Sequence, residues 1–271
     1  MTDMERRFGG VARLYGNRAA QRIQQAHVAV VGVGGVGCWA AEALARSGVG
    51  QITLIDLDVL VESNTNRQLH ALGDAYGKAK VEAMAERILA INPHCQVQAI
   101  DDFISPENVA TLLAPLSQHP LAGIIDAIDQ VHAKAAMLSW CRQMQIPIIC
   151  AGAAGGKMDP TAIRIDDLAL VQQDRLLARL RSELRRHHGF PKAAQSASKP
   201  QRMGVSAVYS TEPARQGNTA VADAPAEGQS SPGAPQSGSG GLNCAGYGSS
   251  VCVTAAFGFA ATAWLLRRLA D

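Results

Sequence analysis

Apolar residues in this chain fall in short unbroken runs, separated by longer stretches where they recur every third or fourth position. The run at 27–33 is apolar and β-branched up to a glycine cluster, which predicts a strand buried on both faces. An Ala-rich helical pattern follows at about 36–47, then a second strand at 51–57. A helix over about 78–91 is stopped by Asn92-Pro93, because proline disfavours helical geometry in the residue before it. Residues 96–102 alternate as a strand does. Ser105-Pro106-Glu107 supplies an N-cap, a first helical residue and a dipole-matched acid, predicting a helix to about 113. A strand at 122–128, a helix at 131–145 and a strand at 146–151 continue the alternation. Strictly alternating strands and helices predict an α/β fold: a Rossmann-like, mostly parallel sheet with helices on both faces.

The pattern loosens beyond residue 151. Residues 152–156 form a glycine-rich turn, and 161–165 has the makings of a strand. A helix over 172–188 would place Leu176, Leu177, Leu180 and Leu184 on one face. Residues 211–242 are dominated by Gly, Pro, Ser and Ala, too few apolar groups to offset the entropy of ordering, and are expected to be a flexible insertion. The last element is an uncharged run at 251–266, closed by Arg267 and Arg268. As a helix it reaches only about 24 Å, short of the ~30 Å hydrocarbon core, so packing on the sheet is favoured over membrane association. The expected organisation is a nucleotide-binding domain at 1–165, a basic helix and strand at 166–210, the insertion at 211–242, and a C-terminal helix at 243–271 packed on the same domain.

Composition changes this picture little. The balance of hydrophobic (47%) and charged (18%) residues is that of a globular chain, and the net charge of +2 neither demands nor excludes an anionic partner. The six cysteines include no CxxC pair, which argues against a zinc ribbon and against a disulfide framework. Cys38, Cys141 and Cys150 sit on apolar elements and are expected in the core. The N-terminal segment lacks the apolar core of a signal peptide, and a cytoplasmic location is expected.

The chemistry begins at Gly32, Gly34, Gly35 and Gly37, between the first strand and first helix. Glycines there let backbone amides and a helix N-terminus approach phosphate oxygens. Asp56 ends the second strand, where a carboxylate can hold a ribose hydroxyl. These features serve an NAD-dependent dehydrogenase equally well. Asn64, Arg67 and Lys80 separate the two readings: hydride transfer has no use for cations aimed at a phosphate tail, whereas triphosphate chemistry builds charge on a leaving pyrophosphate. Asp129 follows the strand at 122–128, at the edge where parallel sheets expose functional groups, and suits Mg²⁺.

GVGGVG, the DLD of strand two, SNTNRQ, GKAK and IDAID together resemble the E1-like group that includes the ThiF- and MoeB-type adenylating enzymes. The resemblance implies ATP and Mg²⁺ as cofactors, Asp56 on the ribose, and Asn64, Arg67 and Lys80 on the phosphates. It also implies Asp129 on the metal, and Arg13 reaching the triphosphate of a neighbouring subunit in a homodimer. Arg13, Arg67 and Asp129 would be the catalytic set. The missing CxxC pairs, with RFGGVARLYG, NPHCQVQAIDDF and NCAGYGSSVCVTAAFGF, are similar to the tRNA threonylcarbamoyladenosine dehydratase branch. That branch implies ATP-dependent cyclisation of N6-threonylcarbamoyladenosine at position 37 of tRNA. The other enzyme reading is adenylation of a small sulfur-carrier protein's C-terminal carboxylate.

Arg175, Arg179, Arg185 and Arg186 give the 172–188 helix a basic face. It is read either as a solvated amphipathic face or as a phosphate contact with tRNA, with a slight preference for the second. A sulfurtransferase partner remains compatible with the chain. Cys244, which could accept sulfur, is read as an ordinary thiol, since no neighbouring cation argues for a lowered pKa.

Overall fold

The structure, a computed structural model, describes residues 2–114, 121–192, 201–215 and 247–271. Most of the 211–242 insertion, and Cys244, lie outside the described residues. The strands β1 (His27–Val31), β2 (Gln51–Ile55), β3 (Gln96–Ile100), β4 (Leu121–Asp126), β5 (Ile148–Ala151), β6 (Ile163–Asp167) and β7 (Ser206–Ser210) form one sheet. Their order is β3-β2-β1-β4-β5-β7-β6, parallel throughout except for β6, which runs antiparallel to β7. The fold is α/β and mostly parallel, as expected. The segment at 166–210 shares this sheet, since its strand β7 lies between β5 and β6.

Alternate residues of each central strand feed opposite faces. Val28 and Val30 of β1 join the core under α3 (Gly37–Arg46), α4 (Lys80–Ile91) and α8 (Val251–Ala270). Ala29 and Val31 join the core under α5 (Val109–Leu113) and α6 (Val131–Met144). A third cluster binds α6 to α7 (Arg175–His187) through Leu177, Leu180 and Leu184.

Several boundaries move, each for a local reason. β1 and β2 are shorter than their apolar runs because the Asp56 carboxylate takes the Val33 and Asp58 N–H groups, at 2.6 and 2.9 Å, drawing both strand ends out of the ladder. The helix expected at 78 starts at Lys80, because the Lys78 carbonyl accepts the Leu60 N–H. The helix expected from Ser105 is confined to Val109–Leu113, because Asn108 bonds Ser105 N and Phe103 O with its side chain. Two N-terminal helices were not anticipated, α1 (Asp3–Tyr15) and α2 (Asn17–Gln25). The signal was present: Thr2 and Glu5 form a capping box.

The C-terminal apolar run is a helix laid along α3. A side-chain carbon at Gly258 would come within 2.6 Å of the Val36 carbonyl oxygen and 2.8 Å of Ala40 N, so the two backbones meet there. Thr262 donates its hydroxyl to the Ala40 carbonyl at 3.2 Å. Among the described residues no helix is long and apolar enough to cross a membrane. Gly258→Val is therefore expected to cost about 2–3 kcal/mol in urea unfolding, from overpacking of this contact. A midpoint equal to that of the parent chain would show that the helices do not depend on close approach here.

Candidate functional site

The chain reverses its direction of travel across the sheet between β1 and β4, and in open α/β sheets ligands bind at such a switch point, beyond the strand carboxyl ends. The glycine loop leaves β1 at this place. Gly32 has φ of +84°, and a side chain on it would lie 2.9 Å from the Ala127 carbonyl carbon. The loops after β1 and β4 thus abut backbone to backbone. At Gly37 a side chain would run into the Gly32 carbonyl, so α3 can start close beneath the loop. Gly35 packs between Arg67 and Thr254, at 3.2 and 3.5 Å from where its side chain would begin.

Asp56 stands at the tip of β2, its side chain 10% exposed. Burial pushes its carboxyl above the usual carboxylate range, while Lys80 and the N–H groups of Asp58 and Val33 pull it back. Lys80 opens α4 with a side chain only 7% exposed, its Nζ 2.6 Å from the exposed Asp58 carboxylate and 3.8 Å from Asp56. Asn64 ends the turn Glu62–Asn64 and accepts the Val61 N–H through Oδ1 at 3.3 Å. Arg67 donates Nη1 to the Ser63 carbonyl at 2.8 Å and to Asn66 Oδ1 at 2.9 Å, and Trp39 Nε1 donates to the Arg67 carbonyl at 3.0 Å. Asp129 lies half-buried after β4, and its carboxylate has no protein hydrogen bond or ion pair among the described residues. Gly32, Gly34, Gly35, Gly37, Asp56, Asn64, Arg67, Lys80 and Asp129 therefore all lie on the loops and helix starts at the carboxyl edge of β1, β2 and β4.

Arg13 is not with them. Phe8 of the same helix packs on Gly48 ahead of β2, and Arg7 donates to the Ile91 carbonyl ahead of β3, so α1 is moored at the amino edge of the sheet. The Arg13 side chain is exposed and lies back along Gly9. On α7, Arg175, Arg179 and Arg186 are exposed, whereas Arg185 is half-buried and donates Nε to the Pro191 carbonyl at 3.0 Å.

Three features went unread in the sequence. Asp174 caps α7 through Leu177 N and also accepts the Ala153 N–H, both at 2.9 Å, fixing the basic helix to the loop after β5. Residues 247–250 form a strap across the site. Gly248 O accepts Gly156 N at 2.7 Å, Ser249 takes Asn66 Nδ2 at 3.1 Å, and the Tyr247 hydroxyl meets Arg175 at 3.4 Å. The third is a buried ion pair of Asp126 with Lys134. An Asp at the N-cap position of a helical pattern was a readable signal for the first; the other two join residues remote in sequence or hidden in an apolar strand. Burial pushes the Cys38, Cys141 and Cys150 thiols up to about 12, which leaves them as core groups and unsuited to nucleophilic work.

The glycine loop, the Asp56 carboxylate and the cations Arg67 and Lys80 thus share one edge of the sheet. The ThiF family profile matches residues 9–225. The chain belongs to the ThiF family. Within the family it is 46% identical over 268 residues to the tRNA threonylcarbamoyladenosine dehydratase of Escherichia coli (strain K12), covering 97% of this chain and 93% of that one. It is 43% identical over 266 residues to the Haemophilus influenzae protein of the same name, covering 98% and 94%. The crystal structure of the E. coli enzyme in complex with ATP superposes with a TM-score of 0.81 at 44% identity, over 99% of this chain and 96% of that one.

His70 follows the Arg67 loop, is buried, and has no partner on either ring nitrogen among the described residues. Burial, then the charges of Lys80 and Arg87, pull its pKa from 6.5 down to about 4. The unfolded chain takes up this proton first, so stability present above the unfolded value is lost as pH falls toward the folded one. Between about pH 7 and about pH 4 the chain should lose about 3 kcal/mol more than its His70→Leu variant. Parallel stability-against-pH curves for the two proteins would rule this out.

Proposed function

We propose that this chain is an ATP-dependent tRNA threonylcarbamoyladenosine dehydratase. The observation that carries the reading is the end-to-end likeness to enzymes of that name, together with the cations and carboxylates assembled at one sheet edge. In this reading Gly32, Gly34, Gly35 and Gly37 present backbone amides to the phosphates, and Asp56 accepts from the ribose hydroxyls. Lys80 would exchange Asp58 for a phosphate oxygen, so that its nearly buried charge stays paired before and after the exchange. Arg67 and Asn64 complete the phosphate contacts, Asn64 with the Nδ2 donor that no protein group among the described residues occupies. The twenty-residue α8 starts beside Gly35, so its positive end adds to the same field.

Among the described residues no cluster of three His, Cys, Asp or Glu could hold a metal by protein ligands alone. The unpartnered Asp129 carboxylate fits Mg²⁺, which takes one or two carboxylates and draws its other ligands from phosphate and water. When bound there, the ion would offset charge on the departing pyrophosphate.

The chemistry proceeds in two displacements. The threonyl carboxylate oxygen attacks the α-phosphorus, its bond to the β-phosphate oxygen breaks, and pyrophosphate leaves. An atom of the ureido group then attacks the activated carbonyl carbon and gives up its proton, the bond from that carbon to the AMP oxygen breaks, and the ring closes. The former carboxylate oxygen leaves on AMP, so that relative to the free acid the nucleoside has lost one water, the nucleophile's proton included. Holding both groups on one substrate lets proximity supply much of the second step, with effective molarities of roughly 10⁵–10⁸ M in well-oriented cases. Arg175, Arg179 and Arg186 are proposed to contact tRNA phosphates, with Arg185 supporting the helix end. A homodimer would bring Arg13, at the amino edge of its own sheet, to the triphosphate of its partner.

Incubation of the full chain with ATP, Mg²⁺ and tRNA carrying threonylcarbamoyladenosine should lower the mass of that nucleoside by one water, read by nucleoside mass spectrometry. Unchanged mass with folded, ATP-binding protein rejects the reading, and pyrophosphate exchange that requires a carrier protein instead would point to carrier adenylation. The dimer has its own test. Arg13→Ala and Asp129→Asn chains, each expected to lose about 10²–10³-fold in kcat, should recover activity when mixed and reassembled. No recovery in proven mixed dimers removes the cross-subunit role of Arg13.

A further inference from the structure

β4 ends at Asp126 and α6 begins at Val131, so the intervening turn carries Asp129 on very little chain. Its geometry is set from within the protein. Lys134, in the second turn of α6, is wholly buried and donates from Nζ to Asp126 Oδ1 at 2.9 Å and to the Ile128 carbonyl at 2.8 Å. Asp126 Oδ1 also accepts the Ile128 N–H at 3.2 Å. Ile128 is therefore held at both its N–H and its carbonyl, and that carbonyl belongs to the peptide whose other end is the nitrogen of Asp129. The Ile128 side chain reaches toward Gly32, whose own side chain would begin 3.0 Å from it.

Stability does not explain this arrangement. A buried ion pair is commonly matched or bettered by apolar residues of the same size, and the second oxygen of Asp126 is buried with no partner among the described residues. What apolar residues cannot supply is the hydrogen bond to the Ile128 carbonyl. We propose that Lys134 is a positioning residue for carboxylate activation: seated on Asp126, it fixes the peptide between residues 128 and 129, so that Asp129 stands beside the glycine loop. The inference rests on the role proposed above for Asp129.

The test uses the full chain. Lys134→Met alone would strand the Asp126 charge and could unfold the protein, so the informative variant is Asp126→Asn combined with Lys134→Met, which removes both charges. Thermal unfolding should confirm that it folds, and its affinity for ATP without magnesium should match the parent. The gain in ATP affinity on adding Mg²⁺ should shrink, and kcat should fall by about 10–100-fold, the scale for groups that orient a ligating side chain. Adding Asp129→Asn to this variant should lower kcat no further than Asp129→Asn does alone, since both changes act through one carboxylate. A folded double variant with full kcat and an intact magnesium effect overturns the proposal, as does a fully additive loss in the triple variant. If Asp129→Asn itself is silent, the role of Asp129 fails first, and the two failures are told apart.

Discussion

The backbone of Gly32 lies directly against the backbone of Ala127, and the working edge of the molecule is arranged around that contact. Two parallel strands that diverge in connectivity end side by side, and the loops leaving them can touch only if one residue has no side chain and accepts a positive φ. Gly32 meets both conditions. With the two loops in contact, the amides of the first and the carboxylate of the second share one place. The Asp56 carboxylate adds a third wall by binding the Val33 N–H, so the ends of β1, β2 and β4 are tied to one another.

Around this point the protein keeps its charges in different states of readiness. Lys80 is nearly buried yet paired with an exposed carboxylate, and Asp129 has no protein partner among the described residues. Lys134, by contrast, is fully buried and fully engaged, a cation that shapes the loop without facing solvent. The difference follows from desolvation. A charge that must change partners is paired with an exposed group that water can take over when it is released, while a charge that only shapes the backbone can be sealed inside with its counter-ion.

The C-terminal segment brings distant parts of the chain to the same edge. The strap at 247–250 bonds the loop after β5 and the Asn66 side chain, and through Tyr247 it reaches Arg175 on the basic helix. Asp174 fixes that helix to the β5 loop from the other side. The elements proposed to meet tRNA are thus mechanically continuous with those proposed to meet ATP, over a few hydrogen bonds.

Periodicity alone determined the alternation of strands and helices, the parallel character of the sheet, and the placement of Gly32, Asp56 and Asp129 at strand ends on one edge. These follow from short-range rules: buried strands are uniformly apolar, glycine-rich turns follow them, and functional groups gather where parallel strands end. Arg67 and Lys80 were singled out by the SNTNRQ and GKAK motifs and the resemblance they carry. The α1 capping box was equally local and could have been read. Tertiary structure alone decided the rest. That Lys134 reaches back to Asp126 and Ile128, that Ser249 meets Asn66, and that Gly258 lets α8 lie against α3 all depend on which surfaces pack together. The apolar run at 251–266 has the same composition whether it covers a sheet or meets lipid. Its length favoured the sheet, but the surface that receives it, on α3, is assembled only by folding.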